Sequence, residues 1–321
     1  MPIVINNCFA SSFDYNHIMQ SNSSLKKSVD FKPEDELHLD CICGSKTYKE
    51  YFNPEEKTGQ FSGYKLIACD QCGLVRTDPS PLSTENEAED LYDDPNYYAD
   101  SLKDKDFWLQ MAKDTLKDLP EFISRGRFLD IGCGPGYIVK TANDIGFNAE
   151  GIDLNPHPIA AGKEAFGVNI ARKRLDEVEG TFDVICSNHV IEHVISPADF
   201  LKEIGSRLND EGYLFLGVPN VEGGIPKVLR TLNKLPAGPG SKWLWVGYQL
   251  HEHIWHFSPK TFREFLEREG WEVLLLDVSL NNPYATVEVP KLRQKAIQKV
   301  WKSFESIGMA DQMVAICRRK K

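Results

Sequence analysis

Three glycines at alternate positions, Gly132, Gly134 and Gly136, follow a short apolar run at residues 128–131 and precede a helical pattern that begins at Tyr137. With no Cβ at these positions the chain can turn sharply and its backbone can come close to a ligand. The amides at the start of the next helix then point at whatever lies above the strand ends. A second strand, residues 148–152, runs into Asp153, an acid placed to accept hydrogen bonds from the two hydroxyls of a ribose. The spacing G-x-G-x-G differs from the G-x-G-x-x-G that cradles a dinucleotide pyrophosphate. That difference argues against a nicotinamide-dependent oxidoreductase.

Histidine supplies the second set of reactive groups. Five of the eight histidines fall in two windows: His189 and His193 after the fourth expected strand, and His251, His253 and His256 in a long segment after the fifth. Imidazole titrates near neutrality and is the natural general base for taking a proton from a hydroxyl. Each also has a plain structural reading, with Glu192-His193 capping a turn and His256, beside Phe257, as a satisfied core residue. The third set is Cys41, Cys43, Cys69 and Cys72. A stretch of about 40 residues with little core needs a staple, and four thiolates from two turns ending in Cys-Gly suit a structural zinc ion. The second pair has C-x-x-C spacing and the first is C-x-C, so either the knuckle tolerates the shorter spacing or His38 or Asp40 substitutes as a ligand. No βαβ pattern surrounds the pair, which disfavours a redox role.

These groups need elements to hold them. Apolar runs and turn signals predict strands at residues 128–131, 148–152, 168–170, 182–186, 213–218, 273–276 and 311–317, with helices at 158–166, 197–208 and 260–269. The order is βαβαβ with a late antiparallel return. Residues 1–36 read as a flexible leader, 37–78 as the zinc-binding module, and 79–126 as a connector and helix that includes Asn96, Tyr97 and Tyr98. Residues 127–321 form the main domain. Two segments interrupt it, at 221–257 and 281–307, and the first is expected to be a lid or substrate-binding segment.

Composition narrows the function classes. The chain has 321 residues, a net charge of −10 from 47 acids against 37 bases, and 41% hydrophobic residues. No basic run is long enough to track phosphates, so nucleic acid is not expected as a partner. No apolar run reaches the roughly 18 residues of a membrane span. Eight cysteines without a secretory signal suggest reduced thiols or metal ligands and a cytoplasmic location. Oligomeric state is not legible.

The runs FLDIGCGPG, GIDLNP, FDVICSNHVIEHV and GYLFLGVPN, in this order and spacing, resemble the motifs of class I S-adenosylmethionine-dependent methyltransferases. The resemblance implies an α/β, Rossmann-like seven-stranded domain beside a small zinc-ribbon-like module. It also implies that Gly132, Gly134 and Gly136 border the amino-acid end of S-adenosylmethionine, Asp153 holds its ribose, Asp130 supports the loop and Leu154 flanks adenine. Asn188 and His189 would lie over the sulfonium and the substrate. The His251-Glu252-His253 run is similar to that of zinc-containing sugar C-methyltransferases, whose cysteine-rich module ends in CGLV as Cys72-Gly73-Leu74-Val75 does here; Leu250 stands where their motif has tyrosine. His189, Glu192 and His193 are also similar to the metal-binding run of small-RNA 2′-O-methyltransferases.

The expectation is therefore a methyltransferase that acts on a hydroxyl of a small polar acceptor, a sugar or sugar nucleotide in polysaccharide or secondary-metabolite synthesis. His253 is the expected base, Glu252 orients it, and His189 and His251 are further candidates. The alternatives are C-methylation of a nucleotide-linked deoxysugar, or a cofactor-binding partner of another methyltransferase with no catalysis of its own.

Overall fold

A computed structural model describes residues 39–53, 63–81, 102, 104–224, 227, 252–280, 303–304 and 306–321. The leader, Asn96 to Tyr98, most of residues 221–251 and most of 281–307 lie outside the described residues. Within the described chain the module contributes β1 (Tyr48–Phe52), β2 (Lys65–Cys69) and β3 (Val75–Asp78). The connector helix α1 (Lys105–Thr115) follows, then β4 (Arg127–Ile131), α2 (Tyr137–Asp144), β5 (Asn148–Asp153), α3 (Pro156–Phe166), β6 (Asn169–Arg172) and β7 (Phe182–Asn188). The chain continues through α4 (Pro197–Arg207), β8 (Leu208–Pro219), β9 (Trp255–His256), α5 (Pro259–Arg268), β10 (Trp271–Leu280) and β11 (Gln312–Arg319). No helix among the described residues is long and apolar enough to cross a membrane.

Seven strands form one sheet in the order β10-β11-β8-β7-β4-β5-β6. Strands β4 to β8 are mutually parallel, and β11 inserts antiparallel between β8 and β10. The strand side chains alternate between two cores. Leu129, Ile131, Ile185, Leu214, Leu216 and Ala315 pack with Phe200 and Ile204 of α4 and with Phe262 and Phe265 of α5. Phe128, Val184, Cys186, Phe215 and Ile316 pack on the other face with Val139 of α2 and Ile159 of α3. Burial on both faces explains why these strands read as continuous apolar runs.

The expected elements are present with shifted ends. Helix α3 begins at Pro156, because the Asn155 side chain accepts the His157 N–H at 2.9 Å and caps it. Strand β8 starts at Leu208, directly after α4, since β7 offers Phe182 as a partner there ahead of a bulge.

The module forms two antiparallel hairpins, β1-β2 and β2-β3. The sheet does not end there, however: β9, from the end of the 221–257 segment, pairs antiparallel with β3 through Val75–His256 and Arg76–Trp255. Cys41, Cys69 and Leu74 pack into the same core as α4 and α5. The module and the main domain thus share one hydrophobic core.

Helix α3 presses on the glycine loop. A Cβ on Gly162 would lie 2.0 Å from the Pro135 carbonyl oxygen. Because that neighbour is backbone, Gly162→Ala is expected to cost about 1–3 kcal/mol, read as a lower denaturation midpoint, and to weaken ligand binding at the loop.

Candidate active site

The glycine loop leaves β4 at the sheet's carboxyl edge. Gly132, Gly134 and Gly136 all have positive φ, and Gly136 is the left-handed N-cap of α2. The Gly134 N–H donates to Asp153 Oδ2 at 2.7 Å and the Asn155 N–H to Oδ1 at 2.9 Å, so the acid that ends β5 also ties down the loop. Two carboxylate oxygens offer about four acceptor sites, so Asp153 can accept a further hydrogen bond beside those from the backbone. Burial pushes its carboxyl up to about 6 against the pull of the Asn155, Gly134 and Leu154 N–H groups. Burial also raises Asp130 to about 7; the Cys186 thiol opposes this rise and the Asp153 charge adds to it.

A cleft opens beside the loop, lined by Asp130, Gly132, Cys133 and Asn188 and by Trp108 and Tyr137. Leu154 is half-buried just past β5. Trp108 belongs to α1 and stacks on Tyr137 with ring centres 6.0 Å apart. The connector helix is therefore a wall of the cleft. Its apolar spacing was visible in the sequence; the face it turns to the loop was not.

Past Asn188 the chain enters a left-handed turn at His189, with φ of 58°, and the His189 N–H donates to the Gly217 carbonyl at 2.8 Å. Beyond this turn His189, Glu192 and His193 are buried, all at most 1% exposed. Glu192 Oε1 lies 3.3 Å from His189 Nδ1 and 3.8 Å from His193 Nε2. The other window arrives through β9. His253 stands with its ring centre 4.6 Å from that of His193 and 5.8 Å from that of His256. His193 Nδ1 contacts the Glu252 carbonyl at 3.0 Å; a carbonyl only accepts, so Nδ1 carries the proton and Nε2 keeps its lone pair. Burial lowers the pKa of His193, with Glu192 and Glu252 opposing, and burial together with His193 takes His256 down to about 3. His193 and His256 are thus neutral imidazoles at pH 7. The structure joins His189 and His253 in one cluster, adds His193 and His256 to it, and engages Glu252 through its carbonyl; His251 lies outside the described residues.

The four module cysteines also converge. The Cys41 and Cys72 sulfurs are 3.5 Å apart, those of Cys43 and Cys69 are 3.6 Å apart, and all four lie within 4.8 Å of one another. Tetrahedral zinc with Zn–S near 2.3 Å requires a sulfur separation of about 3.8 Å. Burial raises the Cys69 thiol, but N–H groups from Cys72 and Gln71 outweigh it and bring Cys69 down to about 6. Asp40 turns outward to Lys46 at 3.3 Å, and the C-x-C pair supplies both of its own sulfurs.

A family model described as a methyltransferase domain matches residues 106–276, just over half of the chain. The chain belongs to the methyltransferase-domain family. It is 30% identical over 150 residues to the ubiquinone biosynthesis O-methyltransferase of Caulobacter vibrioides, covering 44% of this chain and 57% of that relative. It is 32% identical over 137 residues to the mitochondrial ubiquinone biosynthesis O-methyltransferase of Saccharomyces cerevisiae, covering 39% and 42%. The chain spans about half the length of the curated relatives it matches. Among solved structures, a chain of the complex between the Haloferax volcanii Trm112 methyltransferase activator and a methyltransferase superposes with a TM-score of 0.50 at 15% identity, covering 71% of this chain and 99% of that one. That likeness concerns the fold, which is the Rossmann-like class I methyltransferase fold.

The folded pKa of Asp130, about 7, lies above its ordinary 3.8, so its contribution to stability is complete below pH 4 and is lost as pH rises through 7. Asp130→Asn in this methyltransferase domain is expected to match the wild type near pH 4. By pH 7.5 it should be the more stable form, by on the order of 3 kcal/mol, in denaturant titrations without ligand.

Proposed function

We propose that this protein transfers a methyl group from S-adenosylmethionine to a hydroxyl of a small polar acceptor. The reading is carried by the cluster of buried histidines that follows Asn188, the residue that both ends β7 and lines the cleft beside the glycine loop. Bound S-adenosylmethionine supplies an electrophilic methyl on a sulfonium, so the protein's work is alignment and removal of one proton. Gly132, Gly134 and Gly136 would border the cofactor's amino-acid end, Asp153 its ribose and Leu154 its adenine, while Asp130 braces the loop. His253 is the proposed base, with His189 and His193 beside it. Glu252 helps orient the cluster through its carbonyl contact with His193.

A sugar or sugar nucleotide is the first acceptor class, on the strength of the His-Glu-His run and the cysteine module together. The curated relatives, named as ubiquinone biosynthesis O-methyltransferases, favour a second class, a hydroxyl of a quinone precursor. We assign a structural zinc ion to Cys41, Cys43, Cys69 and Cys72.

One observation supports a variant of the mechanism in which a divalent ion polarises the acceptor hydroxyl. Ligand atoms of Glu192, His193 and His253 lie within 4.8 Å of one another. His193 gives its Nδ1 proton to a backbone carbonyl, as metal-bound histidines commonly do.

Calorimetry is expected to show S-adenosylmethionine binding at micromolar strength and no heat from NAD; absence of the first would end the methyltransferase reading. Turnover to S-adenosylhomocysteine with pools of sugar nucleotides and of catechols then decides the acceptor class. His253→Ala is expected to lose 10²–10⁴-fold in turnover with cofactor affinity unchanged, and near-normal turnover would remove His253 as base. Elemental analysis is expected to find about one zinc per chain, and Cys69→Ser to lose it together with several degrees of thermal stability.

A further inference from the structure

One side chain of the cysteine module, that of Thr77, lies against the histidine cluster. Thr77, the third residue of β3, is fully buried. Its Oγ1 donates to the His253 carbonyl at 2.7 Å and also lies 2.9 Å from His256 Nε2. A hydroxyl has a single proton. With that proton committed to the His253 carbonyl, Oγ1 can only accept from His256, so Nε2 of His256 must carry a hydrogen and Nδ1 must present the lone pair. The Thr77 N–H meanwhile donates to the Ile254 carbonyl at 3.0 Å, and the Ile254 N–H donates to the Glu192 carbonyl at 2.9 Å. The segment carrying His253 is therefore held on one side by the module and on the other by the turn after β7.

We propose that Thr77 is a positioning residue for the histidine cluster, fixing the tautomer of His256 and the backbone of His253 from across the module boundary. The inference rests on the reading of His253 as the base. It assigns the module a task besides its own stability: β3 sets the wall of imidazoles against which the acceptor would lie. Thr77 touches no reacting atom. It acts through the ring it orients and the carbonyl it pins.

The test uses the full chain with nitrogen-15 histidine. Long-range proton–nitrogen correlation at pH 7.5 is expected to show a pyrrole-type Nε2 and a pyridine-type Nδ1 for His256 in the wild type and in Thr77→Ser. In Thr77→Val, which is isosteric but lacks the hydroxyl, the two nitrogens are expected to average or invert. Turnover, with the acceptor found active above, is expected to fall at least tenfold, with the cofactor dissociation constant within twofold of wild type. Thr77→Ser is expected to restore turnover to within about threefold. A wild-type His256 protonated on Nδ1, or a Thr77→Val chain with full turnover, overturns the proposal. Should Thr77→Val fail to fold, the wild-type tautomer decides by itself. Should the wild type fail to bind S-adenosylmethionine, the methyltransferase reading falls separately, since the tautomer readout needs no turnover.

Discussion

The pairing of β3 with β9 joins residues about 180 positions apart, and the arrangement of the site depends on it. The pairing is short, through Val75–His256 and Arg76–Trp255, and a few backbone hydrogen bonds of about 1 kcal/mol net each do not hold it alone. Trp255 is 2% exposed and donates its indole N–H to the Val194 carbonyl at 2.9 Å. Arg76, almost fully buried, pairs with Asp78 at 2.8 Å and lies over the Tyr48 ring at 4.6 Å. A buried ion pair gains its value from geometry and neighbours because desolvation opposes it. Here it fixes the edge strand of the module at the point where the second strand arrives.

The end of β7 carries a second constraint. Asn188 faces the cleft while His189 turns away in a left-handed conformation that only a few per cent of non-glycine residues adopt. The turn persists because the His189 N–H is fixed to Gly217, and because a Cβ on Gly217 would sit 1.7 Å from Asn188 Oδ1. A glycine on β8 thus makes room for the asparagine that lines the cleft, and the next residue is free to descend to the histidine cluster. The cleft-lining residue and the first histidine of the cluster are separated by one peptide unit.

Both parts of the site bury groups that water would rather keep charged. Asp130 and Asp153 are held with raised carboxyl pKa values at the glycine loop, and His256 with a lowered one in the histidine cluster. Burial is the leading cause in all three cases. Charges close to these buried groups act more strongly than they would in water.

The loop-forming glycines, Asp153 at the tip of its strand, and the order of seven strands were legible in the sequence because they follow from local rules: glycine where φ is positive, apolar runs where both faces are covered, turn residues at fixed spacing. The four thiols were legible as a set for the same reason, whereas the turn of the Asp40 side chain toward Lys46 was not. The pairing of β9 with β3 and the packing of Trp108 against the cleft could not be read in advance. Each is a contact between segments distant in the chain, and neither residue type nor periodicity records which edge a two-residue strand will choose. The sequence by itself determined which groups were available and which fold would carry them. Only tertiary packing decided that the cysteine module and the histidines belong to one structure, because a lone strand edge and a buried threonine hydroxyl find their partners only after the core has closed around them.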